Sequence, residues 1–184
     1  MKTIKLPSVL YEVFGEESTL VEMLLILFFS VGATWELFAS TQAEWEALAT
    51  WKFIVILILA FDIFAGFIAN LTFSTNAFYQ ASNKARLGFI AIHVQPLIFA
   101  FLANSSPTLG VGIWIYTILA ALFVNKLKGY PAQRVVAGAL VGLGLISLVL
   151  FTNGIAVWLL VVLAFYQLKV TYSFAVDHYA PRTI

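Results

Sequence analysis

Apolar residues arrive in blocks of about 20, the length of a helix that crosses the hydrocarbon core of a bilayer, and short polar turns separate the blocks. Span 1 covers residues 19–38 and opens on Thr19 with Glu22 three residues on, a capping box. Span 2 covers residues 51–73, and the polar, basic stretch STNAFYQASNKAR follows it. Span 3 covers residues 87–103 and carries Pro96 inside it. After the turn NSSP, Pro107 suits the first position of span 4, which ends near residue 124 ahead of Lys126, Lys128 and Gly129. Span 5 covers residues 134–151, the turn TNG follows, and span 6 covers residues 155–176. The pattern predicts an all-α polytopic membrane protein, a six-transmembrane-helix bundle.

The period changes ahead of the first span. Leu6, Val9, Leu10, Val13 and Phe14 recur at i, i+3, i+4, i+7 and i+8, the stripe of a short amphipathic helix, with Pro7 and Ser8 at its start and Gly15 at its end. Residues 1–17 are therefore expected as an interfacial amphipathic segment and residues 18–184 as a single transmembrane domain. Glu12, Glu16 and Glu17 do not favour an anionic leaflet, so packing of this helix on the bundle is an equal expectation.

Composition agrees with the pattern. Hydrophobic residues make up 62% of the chain and charged residues 10%, with a mean hydropathy of +0.97, too few charges to cover a soluble surface. A net charge of +1 gives no indication of a nucleic-acid partner, and the absence of cysteine excludes disulfides, thiolate catalysis and Cys metal sites. No cleavable signal pattern precedes the first apolar run, which begins near Leu20 behind an acidic segment. Charge also predicts orientation. Lys2, Lys5, Lys84, Arg86, Lys126, Lys128, Arg134 and Arg182 fall on one side of the six spans, and Lys52 falls on the other with Glu44 and Glu46. Both termini are expected in the cytoplasm, with the chain in the cell membrane. Trp45 and Trp51 fit an interfacial belt, and no internal repeat suggests an inverted-repeat transporter.

Few polar side chains lie inside the spans, and each asks for a partner or a water-filled cavity. Asp62, Gly66 and Asn70 stand at i, i+4 and i+8 on one face of span 2, a carboxylate, a gap and an amide in line. His93 follows Arg86 by seven residues, on the same face of span 3, and Pro96 behind it leaves the Ile92 carbonyl without its helical donor. Lys169 of span 6 leans back along its helix toward the depth of Asp62, from a Cα level about 5 Å away by helical rise. An Asp62–Lys169 ion pair or shared polar cavity is expected, with snorkelling of Lys169 as the alternative. Tyr166, Lys169, Ser173 and Asp177 fall on one face of span 6, and Gln167, Thr171 and His178 fall on another, which places this helix inside the bundle. Gly138 and Gly142 form a GxxxG in span 5, suited to close packing within the protomer or across a homo-oligomer.

No phosphate loop, HExxH, GxSxG or acidic metal cluster is present. Two histidines without cysteine make a poor zinc set, and His93 and His178 lie at unlike depths for haem, so no cofactor or metal is expected. The candidate ligand-binding residues are Asp62, Asn70, Tyr79, Arg86, His93, Gln95 and Lys169, in a cytoplasm-facing polar site. Three functions fit. One is binding or transport of a small solute, ion or proton, with Asp62 or His93 as the exchanging group. Another is an intramembrane enzyme on a lipid-like or isoprenoid substrate, with His93 as acid or base, Asp62 as its partner, and Arg86 and Tyr79 receiving a head group. The third is a non-catalytic subunit or assembly factor held by polar helix–helix contacts. In size and topology alone the chain is similar to the substrate-binding subunits of vitamin importers, but it lacks their substantial outward-facing loops.

Overall fold

A computed structural model describes residues 2–46 and 48–181; Arg182, used above for orientation, lies outside them. Six helical segments long and apolar enough to span a membrane run over Leu20–Ser40, Thr50–Ala69, Asn83–Leu102, Pro107–Lys126, Gln133–Phe151 and Val157–Phe174. The chain is thus an integral membrane protein built as a six-helix bundle. In order, the spans are α2 (Leu20–Ser40), α4 (Thr50–Ala69), the pair α6 (Asn83–Ile92) and α7 (Gln95–Leu102), α8 (Pro107–Lys126), α9 (Gln133–Phe151), and α10 (Val157–Gln167) continued by a π-helical turn over Leu168–Phe174. Six crossings put the N-terminal segment and the end of span 6 on one face, called here the terminal face.

Span 6 is the axis of the bundle, as its two polar faces predict. Its apolar stretch is 61% buried, against at most 39% for any other span. The α10 helix packs on α4, α9 and α7, and the π turn packs on α4, α8 and α9. At the opposite face the short α3 (Gln42–Trp45) locks the start of span 6. Both carboxylate oxygens of Glu44 accept N–H groups there, from Val157 at 2.9 Å and Trp158 at 3.2 Å, so an acidic side chain caps the positive end of α10. The Trp45 ring stacks on Trp158, with centroids 5.3 Å apart.

Span 1 begins on the expected capping box. The Thr19 hydroxyl accepts from Glu22 N–H, and the Glu22 carboxylate accepts from Thr19 N–H at 3.0 Å. The segment before it is helical over a shorter stretch than the apolar stripe suggests. A 3-10 turn over Ser8–Leu10 leads into α1 (Tyr11–Phe14), between the predicted Pro7 and Gly15 boundaries. On either side, β1 (Thr3–Lys5) and β2 (Glu17–Thr19) pair antiparallel, with Thr3 opposite Thr19. Gly15, at φ +71°, turns the chain back so that this pairing closes. The ribbon is tied to α5 (Phe73–Gln80), a helix in the stretch that the polar composition marks as loop. Thr75 Oγ1 donates to Val13 O at 2.8 Å and Glu17 N–H donates to Ser74 Oγ at 3.3 Å. Thr72, accepting from Thr75 N–H, is the cap that starts α5.

Span 3 is broken. Pro96 has no N–H, and its ring would meet the Ile92 carbonyl four residues back. The chain answers with an inverse γ-turn centred on His93 (φ −79°, ψ 72°), in which Val94 N–H donates to Ile92 O at 2.9 Å. The Ile92 carbonyl is therefore satisfied locally, and the carbonyl that receives a donor from another helix is that of His93, from Tyr166 Oη at 2.7 Å. The break also parts the two halves of the span: α7 packs on α4 and α8, whereas α6 packs on α5 and α8.

Candidate functional site

The site lies where α6 diverges from α4. A cavity of about 210 Å³ occupies the gap. The face of α4 supplies Asp62, Gly66 and Asn70 to it, in the line that their four-residue spacing implies. The γ-turn and its exit supply His93 and Gln95, α5 supplies Tyr79, and the π turn supplies Lys169. Six of the seven candidate residues read from the sequence thus line one cavity.

Its centre is an ion pair. Lys169 Nζ lies 2.7 Å from Asp62 Oδ2, and Gln95 Nε2 approaches the same oxygen at 3.4 Å. The two partners differ in surroundings: the Lys169 side chain is 4% exposed and that of Asp62 54%. Lys169 reaches across by crossing Gly66, where any Cβ would collide with its Cε and stand 3.0 Å from Nζ. The Phe89 ring lies beneath the ammonium, 6.0 Å to its centroid. Asp62 Oδ1 has no protein partner among the described residues.

His93 is held as firmly. Its Nδ1 bonds to the Phe89 carbonyl. A carbonyl only accepts, so Nδ1 carries the proton and the neutral ring keeps its acceptor at Nε2. The ring also rests on Phe89, centroids 3.9 Å apart, and Phe89 stacks on Phe174 at 3.7 Å. Tyr79 meets both phenylalanines edge-on, at 5.1 and 4.9 Å. Burial pushes the Tyr79 phenol well above its ordinary value, and the charges of Glu12 and Asp62 add to that. Two buried amide atoms of the lining residues, Asn70 Nδ2 and Gln95 Oε1, have no partner among the described residues.

Arg86 stands apart from the cavity. It is 1% exposed and serves the end of span 6: Nε donates to Asn125 Oδ1 at 2.7 Å and Nη2 to the Ala175 carbonyl at 3.0 Å, with Phe174 under the guanidinium. Gln133 completes this cap, donating to Val124 O and Ala175 O and accepting from Asp177 N–H. Asn76 donates to Val176 O at 3.1 Å. A positive group at a helix C-terminus is favourable, so Arg86 reads as a structural cap rather than a receiver of head groups.

The lining residues that escaped the sequence reading include Glu12 and Val13 of the N-terminal segment. Their signal was the apolar stripe of residues 6–14, which says that this segment must rest on something but not on what. The GxxxG glycines of span 5 are not used within the protomer: a Cβ at Gly138 or Gly142 would meet nothing within 4 Å, whereas one at Gly144 would strike Gln167 and Tyr116. His178 bonds to the Tyr172 and Ser173 carbonyls, far in role from the cavity. Comparison of the chain with protein-family models, with curated proteins and with solved structures finds no match.

Proposed function

We propose that this membrane protein binds a small polar ligand, or the polar group of a larger one, in the cavity between spans 2, 3 and 6. The observation that carries the reading is convergence: Asp62, Asn70, Tyr79, His93, Gln95 and Lys169 come from four separate elements to one cavity, inside a chain that has few polar side chains to place. Intramembrane charges of this kind are expensive, and where a chain keeps them they commonly mark a functional site. The basic residues of the terminal face argue that the cavity lies in the cytoplasmic half. Ser30 and Thr117, buried toward mid-span, bond back to carbonyls of their own helices, which supports a pocket open to one half of the membrane over a continuous polar channel. A volume of about 210 Å³ is below the usual span of about 300–1,000 Å³ for drug-sized ligands, so the enclosed part of the ligand is small.

One observation favours a second reading, acid–base catalysis. His93 has its tautomer set by a backbone carbonyl and its Nε2 left as acceptor beside a carboxylate–ammonium pair. In that reading Asp62 and Lys169 stabilise charge and His93 moves the proton.

Native mass spectrometry of the gently purified protein tests the proposal. The expected result is a retained small molecule whose adduct disappears in Asp62→Asn and in His93→Ala. A bare protein mass, with both variants melting at lower temperature, would instead assign these residues to helix–helix contacts in a subunit or assembly factor. Turnover of the retained molecule, lost in His93→Ala without loss of stability, would select the enzyme.

A further inference from the structure

Asp62 is placed where a soluble pocket would not put it. On α4 the outward stripe runs through Trp51, Ile54, Ile58 and Phe61, all exposed, and Asp62 sits at its edge with a half-exposed side chain. Across the gap, Ile92 at the end of α6 is 69% exposed and also lines the cavity. Asp62 and Ile92 are thus exposed parts of the lining at mid-span, and the cavity is open sideways between them, at the depth of the acyl chains. Hydrocarbon cannot be left against a carboxylate without a large penalty, so the group that meets Asp62 from this side must be polar and must bring donors.

The chemistry of the walls narrows it further. Asp62 Oδ1, as a carboxylate oxygen, accepts, and with the His93 Nδ1 proton on the Phe89 carbonyl, Nε2 of the neutral ring accepts too. The charged lining residues are two carboxylates, Glu12 and Asp62, and one ammonium, Lys169, a sum of minus one. Lys169 is nearly buried and engaged with Asp62, so among the described lining residues no free cation waits for a phosphate or carboxylate. Resting on the ligand-binding reading above, we infer that the cavity receives, from the side, the primary ammonium head of an amphiphile in the adjacent leaflet. The ammonium donates to Asp62 Oδ1 and His93 Nε2, and the chain leaves past Ile92. The same chemistry belongs to a single-chain amine and to an ethanolamine headgroup.

Photolabelling in phosphatidylcholine nanodiscs tests this with dodecylamine carrying a diazirine on its chain. Label is expected on the peptides that hold Asp62 and Ile92, competed by plain dodecylamine and not by dodecyl phosphate. Asp62→Asn should weaken labelling roughly tenfold, the loss of one charge-assisted hydrogen bond. Ile92→Trp, which narrows the side opening next to His93, should reduce labelling by the dodecylamine probe more than labelling by a diazirine-bearing ethylamine probe. Competition by lysophosphatidylethanolamine would identify the headgroup as the source of the amine, and competition by dodecylamine alone would identify the single-chain amine. Equal competition by dodecyl phosphate would overturn the ammonium assignment. Labelling of the cavity by ethylamine but not by dodecylamine would overturn side entry and leave the ligand-binding reading standing. No labelling of the cavity by either probe, together with a bare mass in the native spectrum, would remove both.

Discussion

Lys169 Nζ and Asp62 Oδ2 meet at 2.7 Å across 107 residues of sequence, yet the lysine is nearly buried and the aspartate half exposed. That imbalance decides which half of the pair the fold depends on. Removing Asp62 leaves a buried ammonium with no counter-charge, the situation that costs about 3–5 kcal/mol in proteins. Removing Lys169 leaves a carboxylate that still has Gln95 beside it. Asp62→Asn should therefore lower thermal stability more than Lys169→Met, and the double variant should recover part of the Asp62→Asn loss. Two single variants as stable as wild type would rule out any structural weight for the pair.

Gly66→Ala tests the same contact from the other side. The new methyl would occupy the path of Lys169 across α4, forcing the ammonium off Asp62. Stability should fall in the wild-type background. In Lys169→Met, where a flexible thioether replaces the ammonium arm, the same change should be neutral or gain up to about 1 kcal/mol of helix propensity. The coupling is read by comparing the two shifts in melting temperature, and equal shifts would refute it.

Tyr166→Phe removes the donor to the His93 carbonyl. An unsatisfied buried carbonyl costs about 1–3 kcal/mol. The loss should be local, seen as faster amide exchange around His93 and Val94 with the ends of span 3 unchanged.

Arg86→Lys should destabilise the chain without weakening a cavity ligand. A lysine cannot reproduce the paired Nε and Nη2 bonds to Asn125 and Ala175. Lower melting temperature with unchanged ligand retention is the expected outcome, and loss of ligand at unchanged stability would return Arg86 to the site.

Tyr79 predicts a pH dependence. Its folded value is raised above the ordinary 10.0, first by burial and then by Glu12 and Asp62. The folded state holds the phenolic proton more tightly than the unfolded state. The contribution is therefore complete below pH 10 and is lost as pH rises toward the folded value. Alkaline melts of wild type should lose stability above pH 10 that Tyr79→Phe retains, and parallel curves would contradict the shift.

Much of this was legible in the sequence because hydrophobic periodicity and helix geometry act locally. The six spans, the capping box at Thr19 and the interior place of span 6 all follow from spacing. So does the meeting of Asp62 with Lys169, since depth can be counted from the ends of each helix. What spacing could not give is anything set by pairing at a distance. The β1–β2 ribbon depends on Gly15 turning the chain onto itself, and its seat on α5 depends on Ser74 and Thr75. Arg86 shares a helical face with His93 on paper, but the γ-turn at His93 and the packing of α6 on α8 direct it to the end of span 6. Proline at 96 announced a break; which carbonyl would need outside help depended on the turn type chosen.

The ion pair also imposes an order on biosynthesis. Asp62 enters the membrane with span 2, and its partner is 107 residues behind it. At about 5–20 residues per second of chain growth, the carboxylate waits on the order of 5–20 s for Lys169 to be made. Gln95, only 33 residues behind Asp62, is the first donor to arrive and can chaperone the charge through that interval. Inserting a long pause between spans 3 and 6 should therefore harm Gln95→Leu far more than wild type, and a nascent chain arrested before Lys169 is the species that cellular quality control would meet first.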